Sequence, residues 1–184
     1  AWLARPWVAA AVSALIVALA LSPWVRFRSE RPADVIDGLL QSGVAEHRRI
    51  LLQIEAAPDV VTEPAALFER VRSLTEIQLP AVFAGVDELR LLSARPTLLA
   101  NRKTAAAALR YPTSPVTTYF VLIGRDLPMP TERRVQIEQY RPHMRQLNGF
   151  HVVYWKQGDL AYLMVSGLDE ERTRQLFLKM RKAL

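Results

Sequence analysis

Residues 7–25 form the longest apolar run of the chain, WVAAAVSALIVALALSPWV, and contain no charged side chain. As an α-helix, this run would extend about 28 Å, close to the thickness of the hydrocarbon core of a bilayer. The pattern predicts one membrane-spanning helix at 7–25, preceded by a flank at 1–6 and followed by a juxtamembrane linker at 26–33. The side chains expected to anchor this helix are apolar or aromatic: Trp7, Leu15, Ile16, Val17, Leu19 and Trp24.

Two other interpretations of this run are weaker. Residues 18–20, Ala-Leu-Ala, resemble the small-residue cleavage site of a signal peptide, but a cleaved segment would be absent from a mature chain. A buried core helix would normally carry a polar face, whereas Ser13 and Ser22 supply the polar side chains inside the run. We therefore expect a spanning helix.

Arginines flank the run on both sides. We expect them to contact lipid headgroups or an acidic partner, because cations and indoles concentrate where a helix leaves the hydrocarbon core. Most of them follow the run, so a simple count of positive charges would leave the larger domain cytoplasmic. These arginines are Arg5, Arg26, Arg28 and Arg31.

Two amphipathic helices are predicted after the linker, and together they would cover one side of a core. The first begins at the capping residue Asp34 and ends at Ala57, before Pro58, with apolar residues at helical spacing between them. The second is indicated by Thr62 and Pro64. Its expected apolar face consists of Leu67, Phe68, Val71 and Leu74.

From residue 79 onwards, short apolar runs predict a sheet built of hairpins. ELRLL (88–92), TLLAN (97–101), AAAALRY (105–111) and TTYFVLI (117–123) are rich in strand-forming residues and are separated by Pro, Asn and Ser. The alanine-rich run is also compatible with a helix, since alanine is the best helix former. We interpret it as a strand because Tyr111 and the following run resemble its hairpin partner.

The last third of the chain predicts a hairpin and a closing helix. Thr131 can cap a short helix reaching about Tyr140. Residues 150–166, FHVVYWKQGDLAYLMVS, predict two strands joined at Gly158, with both faces apolar and the hairpin central or covered by helices. Asp169 is expected to cap the final helix. Residues 34–184 are therefore predicted to form one compact α+β domain of hairpins flanked by helices.

The charge balance is basic, with 24 Lys and Arg against 18 Asp and Glu and a net charge of +6. Beside a bilayer, such a balance indicates anionic headgroups or an acidic partner more often than nucleic acid, so no nucleic-acid partner is expected. One basic segment is a possible partner surface, although a solvated face is the simpler interpretation. Its residues are Arg133, Arg134, Arg141 and Arg145.

Residue patterns for catalysis are missing. The chain has no cysteine, no glycine-rich phosphate loop, no G-x-S-x-G and no H-E-x-x-H. His47 is expected to take a boundary position on its helix, between the buried and exposed faces, and His151 is expected to pack against or bond a neighbour. The strand aromatics Tyr154, Trp155 and Tyr162 are expected in the core rather than in a ligand platform. We therefore predict no catalytic residue, no metal ligand, no cofactor and no enzyme activity.

The order of the segments resembles the extracytoplasmic half of bacterial transmembrane anti-sigma factors. The resemblance is carried by the spanning run, ELRLLSARPTLLANRKTAAAALRY, TTYFVLI and GFHVVYWKQGDLAYLMVSGLDEE. It implies a single-pass protein of the inner membrane with a periplasmic domain. It also implies a sigma-factor partner bound through a segment upstream of Ala1, often a zinc-binding module.

Three functional hypotheses remain open from the sequence. The first is a non-enzymatic regulator of the anti-sigma type, whose external domain senses a signal or binds a protein. The alternative is an accessory subunit of a larger respiratory or photosynthetic membrane complex, for which Ala14 and Ala18 offer small-residue helix packing. An enzyme with an unrecognised site is the third. Membrane lipids and a protein partner are common to the first two.

Overall fold

A six-stranded antiparallel sheet with helices on both faces forms the domain. The computed structural model describes residues 32–56, 63–84, 89–111 and 113–184. Its helices are α1 (Pro32–Ala56), α2 (Pro64–Thr75), a 3-10 turn (Ala81–Ala84) and α3 (Glu170–Ala183). Its strands are β1 (Arg90–Leu99), β2 (Arg102–Arg110), β3 (Thr117–Ile123), β4 (His143–Leu147), β5 (Phe150–Gln157) and β6 (Leu160–Ser166). The predicted α+β class is thereby confirmed.

The predicted spanning helix at 7–25 lies outside the described residues, as do the flank at 1–6 and the linker as far as residue 31. Over the residues that the structure describes, no helix combines the length and apolar character needed to cross a bilayer.

The predicted hairpin at 150–166 is confirmed and lies in the interior of the sheet. The strand order is β1-β2-β3-β6-β5-β4, with β5 and β6 paired from His151 with Ser166 to Gln157 with Leu160. The turn between them has Gly158 at φ 58°, a left-handed conformation that glycine adopts without steric cost. β6 therefore has β3 on one side and β5 on the other.

Each face of the sheet packs against its own helices. On one face, α1 contributes Leu40 and Val44 to a core that includes Leu163 of β6. On the other face, α2 and α3 contribute Val71 and Phe177, among others. The prediction that the first two helices cover the same side is therefore wrong, because the sheet is buried on both faces and needs a helix on each.

The alanine-rich run is a strand, as predicted. In β2, Ala106 and Ala108 face α1, whereas Ala105 and Ala107 face α2, and all four are buried. The helix propensity of alanine does not determine the structure of this run, because the run can pair with a strand on each side and bury both of its faces.

The two runs predicted as separate strands at 88–92 and 97–101 belong to the single strand β1. Pro96 does not end it, because β1 is the outermost strand and a proline is tolerated where its missing N–H faces away from the sheet. The turn to β2 instead uses Ala100 and Asn101, at φ 45° and 64°.

The prediction of a helix from Thr131 to Tyr140 is wrong. This segment forms bends and two isolated bridges, in which Arg134 pairs with His143 and Ile137 pairs with Tyr140. Its main chain bonds to the residues before and within β4, so pairing at the sheet edge replaces helical bonds. Glu138, at φ 50°, also has a conformation unsuited to a helix interior.

Two details of the helices differ from the prediction, and a third agrees with it. α1 begins at Pro32, so Asp34 lies in its first turn rather than at its cap. Leu74 is 54% exposed, because Thr75 occupies the buried position and donates to the Val71 carbonyl oxygen. The expected cap of α3 is confirmed, since Asp169 accepts a hydrogen bond from the Arg172 main-chain N–H.

His47 is fully buried between α1 and the sheet, rather than partly exposed at the boundary position expected for it. It continues the stripe of Leu40 and Val44 one turn further, and its Nδ1 lies 2.8 Å from Thr118 Oγ1. Its ring meets Phe150 edge-on at 4.8 Å between centroids. Burial lowers the pKa of His47 to about 4, and the charge of Arg48 acts in the same direction.

We expect the stability of the fold to fall as the pH drops from 6.5 towards 4. The unfolded chain binds a proton on His47 below its ordinary pKa of 6.5, whereas the folded chain resists it until about pH 4. The difference corresponds to a loss of about 3 kcal/mol at pH 4. Urea unfolding of wild type and of the double variant His47→Leu, Thr118→Val measures it. An equally steep acid loss in the double variant would contradict this assignment.

Two glycines give a matched test of packing. A Cβ on Gly124 would lie 2.6 Å from the Ala161 Cβ and 2.7 Å from its main-chain nitrogen, whereas a Cβ on Gly38 meets nothing within 4 Å. We expect Gly124→Ala to lower the free energy of unfolding by about 1–3 kcal/mol, since main chain must move. Gly38→Ala, within α1, should raise it by up to about 1 kcal/mol. Thermal unfolding of both variants would test the pair, and equal midpoints would contradict it.

Candidate functional site

A cleft of about 490 Å³ lies between the start of α1, the loop before β4 and β4 itself. We call it the α1–β4 cleft. Its apolar wall includes Ile36 of α1 and Met129 of the loop, and its polar groups come from Asp37, His143 and Arg145, among others. A concave, largely apolar site with a few convergent polar groups is the usual form of a ligand-binding site.

The pairing of β4 places its two polar side chains in the cleft. His143 is opposite Tyr154 and Arg145 is opposite Val152, so both lie on the face of the sheet that α1 covers. Met144, between them, belongs to the core on the other face. The alternation of a strand therefore brings residues 143 and 145 together beside the first turns of α1.

His143 provides a buried hydrogen-bond acceptor. Its side chain is 4% exposed, and its Nδ1 lies 2.9 Å from the Glu132 carbonyl oxygen. Because a carbonyl oxygen can only accept, Nδ1 carries the proton and Nε2 is left with a lone pair. Nε2 is buried and has no partner among the described residues. Burial lowers the pKa of His143, so the ring stays neutral at pH 7.

The cleft is lined by two arginines, Arg133 and Arg145, and by two carboxylates, Asp37 and Glu132. Arg145 Nη1 lies 2.6 Å from Asp37 Oδ1, which ties β4 to α1, and the arginine side chain is only 17% exposed. Its Nε is buried without an acceptor in the described part of the chain. Arg133 is exposed at the rim, and no ion pair within the described ranges neutralises it. Among the described residues, the cleft is thus lined by an unmet donor on Arg145, an unmet acceptor on His143 and an exposed cation, Arg133, next in sequence to Glu132.

The four arginines predicted as one partner surface divide between two clefts. Arg133 and Arg145 line the α1–β4 cleft, whereas Arg134 and Arg141 line a smaller cleft, with Met129 lining both.

The pattern of the sequence did not indicate His143 or Asp37 as site residues. The signal available was the spacing of residues 143 and 145, which places both on one face of a strand.

The remaining candidates have structural roles or lie outside the described residues. Trp155 and Tyr162 stack at 5.1 Å in the core, as expected for strand aromatics, and Tyr154 is buried in the core on the opposite face of the sheet. His151 Nδ1 bonds the Leu168 carbonyl oxygen at 2.8 Å, as expected. The predicted anchor residues and the arginines at 5, 26, 28 and 31 fall in the range that the structure does not describe.

Within the described ranges, no group of three or more His, Asp or Glu side chains is placed to hold a metal ion.

Comparisons with protein-family models, with curated proteins and with solved structures give no match for this chain.

Two ion pairs of equal length allow a test of how much the Arg145–Asp37 pair at the cleft stabilises the fold. Arg145–Asp37 and Arg125–Asp159 both measure 2.6 Å, but the arginine side chain is 17% exposed in the first pair and 73% exposed in the second. We expect Arg145→Ala to lower the free energy of unfolding by about 1–3 kcal/mol, because the variant removes a shielded contact between α1 and β4. Arg125→Ala should change it by less than about 1 kcal/mol. Urea titrations giving equal losses would contradict this difference.

Proposed function

We propose that this chain is a non-enzymatic, single-pass membrane protein of the transmembrane anti-sigma type, whose α+β domain senses its signal by binding a protein partner in the α1–β4 cleft. The proposal places that domain in the periplasm and the helix at 7–25 in the inner membrane. It draws on the resemblance of the segment order and on the uninterrupted apolar run. The cleft supplies the structural argument for binding.

The observation that carries the binding role is the pair of unmet buried polar atoms in one cleft. Native proteins satisfy the great majority of buried polar groups, and each exception calls for an explanation. His143 Nε2 and Arg145 Nε are two such exceptions, and both residues belong to the same strand and line the same cleft. A bound partner that supplies one donor and one acceptor would satisfy both.

The lining defines the chemistry of the partner. Ile36 and Met129 offer apolar contact, and a methionine adapts its shape to different side chains. Arg133 suits a carboxylate, and neutral His143 accepts from a hydroxyl or an amide N–H. A peptide segment that carries an apolar side chain next to an acidic one provides all of these groups.

A pull-down in mild detergent tests the proposal. The full-length protein, with any residues encoded before Ala1, is tagged at its C-terminus, and the proteins that remain bound are identified. We expect a sigma factor at the cytoplasmic end and a second partner that depends on the cleft. Arg133→Gln should weaken the second interaction about tenfold, the effect of losing one charge-assisted hydrogen bond.

The matched control is Arg110→Gln, which removes an exposed arginine at the end of β2, outside the cleft. Subunits of a membrane enzyme recovered in fixed ratio, with no sigma factor, would overturn the regulatory proposal in favour of the accessory-subunit alternative. A partner lost equally in both arginine variants would show that net charge, rather than the cleft, holds it.

A further inference from the structure

A second, smaller cleft lies on the other side of Met129, between the segment before β4, β5 and α3. It has a volume of about 170 Å³ and aromatic walls formed by Tyr140, Trp155 and Phe177. We call it the aromatic cleft. Among the residues that the structure describes, four cationic side chains line it and no carboxylate does. They are Arg134, Arg141, Lys156 and Arg181.

The contacts of these four cations are with neutral groups. Arg134 Nε donates to the Arg141 carbonyl oxygen at 3.0 Å, and Lys156 Nζ donates to the Leu127 carbonyl oxygen at 2.7 Å. Arg141 Nε donates to the side-chain oxygen of Gln136 at 2.7 Å. These bonds fix the positions of the side chains. Lys156 also lies near enough to Asp126 for its charge to lower the pKa of that carboxyl group.

Arg181, the fourth cation, lies over the ring of Tyr140 at 4.8 Å from its centroid. Stacking on an aromatic face holds a guanidinium in place. Its N–H groups, which point outward in the guanidinium plane, remain available to a ligand. None of the four cations forms an ion pair within 4.0 Å in the described part of the chain. Their mutual repulsion would be relieved by an anion between them.

Trp155 adds an uncharged donor to this cleft. The residue is 3% exposed, and its ring is held by stacking on Tyr162 and by an edge contact with Phe177 at 5.1 Å. Its Nε1–H is buried and has no acceptor among the described residues. An indole N–H can only donate, so the group that satisfies it must be an acceptor.

We propose that the aromatic cleft is a binding site for an oxyanion, a carboxylate or phosphate group held between Arg134, Arg141 and Arg181. Guanidinium groups bind both kinds of oxyanion through paired N–H donors. The volume suits one such group rather than a large molecule. This site is separate from the α1–β4 cleft and does not rest on the function proposed above.

The Trp155 indole N–H signal in a proton–nitrogen NMR spectrum offers a direct measurement. The full chain, labelled with ¹⁵N in an uncharged detergent, has four tryptophans, and Trp155→Phe identifies the relevant signal by its loss. Inorganic phosphate and the capped amino acid N-acetylglutamate amide are added separately at constant ionic strength. We expect a saturable shift of this signal with at least one of them.

Arg141→Gln and Arg181→Gln should each weaken that binding about tenfold, whereas Arg174→Gln should leave it unchanged. Arg174 is the matched control, since it lies on α3 as well but pairs with Glu170 outside the cleft. Thermal unfolding of each variant distinguishes a loss of binding from a loss of folding. Arg181→Gln is expected to leave the fold intact, because it removes no main-chain hydrogen bond.

Tighter binding of phosphate would support a phosphorylated ligand, and tighter binding of the capped glutamate would support a carboxylate of a peptide or metabolite. A signal that does not shift with either probe would overturn the proposal. A saturable shift with equal affinity in wild type, Arg141→Gln and Arg181→Gln would overturn it as well. Neither result depends on the pull-down, so this site and the membrane function can fail separately.

Discussion

Burial of the central strands on both faces is the constraint on which the rest of the structure depends. β3 and β6 have almost no exposed side chain, so each face must be covered by a helix. Two pairs of polar side chains bond each other in this interior, Thr117 with Ser166 at 2.9 Å and His47 with Thr118 at 2.8 Å. α1 is therefore held by apolar contact and by polar bonds to the sheet, one buried at Thr118 and others nearer the surface, such as Asp37 with Arg145.

Elements with strong local patterns could be predicted from the sequence, and elements that depend on distant pairing could not. The hairpin around Gly158 and the helix capped by Asp169 were both found, because a tight turn and a cap are encoded within a few residues. The continuity of β1 through Pro96 depends on its position at the edge of the sheet. The pairing of residues 131–142 likewise depends on β4, which no local pattern reveals.

The candidate site was predictable only in part for the same reason. The arginines at 133–145 were recognised as a possible partner surface, but their division depends on which face of the sheet each one reaches. The acceptor atom of His143 becomes available only because the Glu132 carbonyl oxygen fixes the proton on Nδ1. Such a role comes from a contact between two segments, and residue type alone does not determine it.

Pro96 has a further consequence at the outer edge of the sheet. Its ring removes one main-chain donor from β1, so a foreign strand could not pair along the whole of this edge. At the opposite edge, Val135 N–H bonds the Pro142 carbonyl oxygen and Met144 N–H bonds the Arg133 carbonyl oxygen, which occupies part of β4. Both margins thus resist the edge-to-edge aggregation to which open sheets are prone.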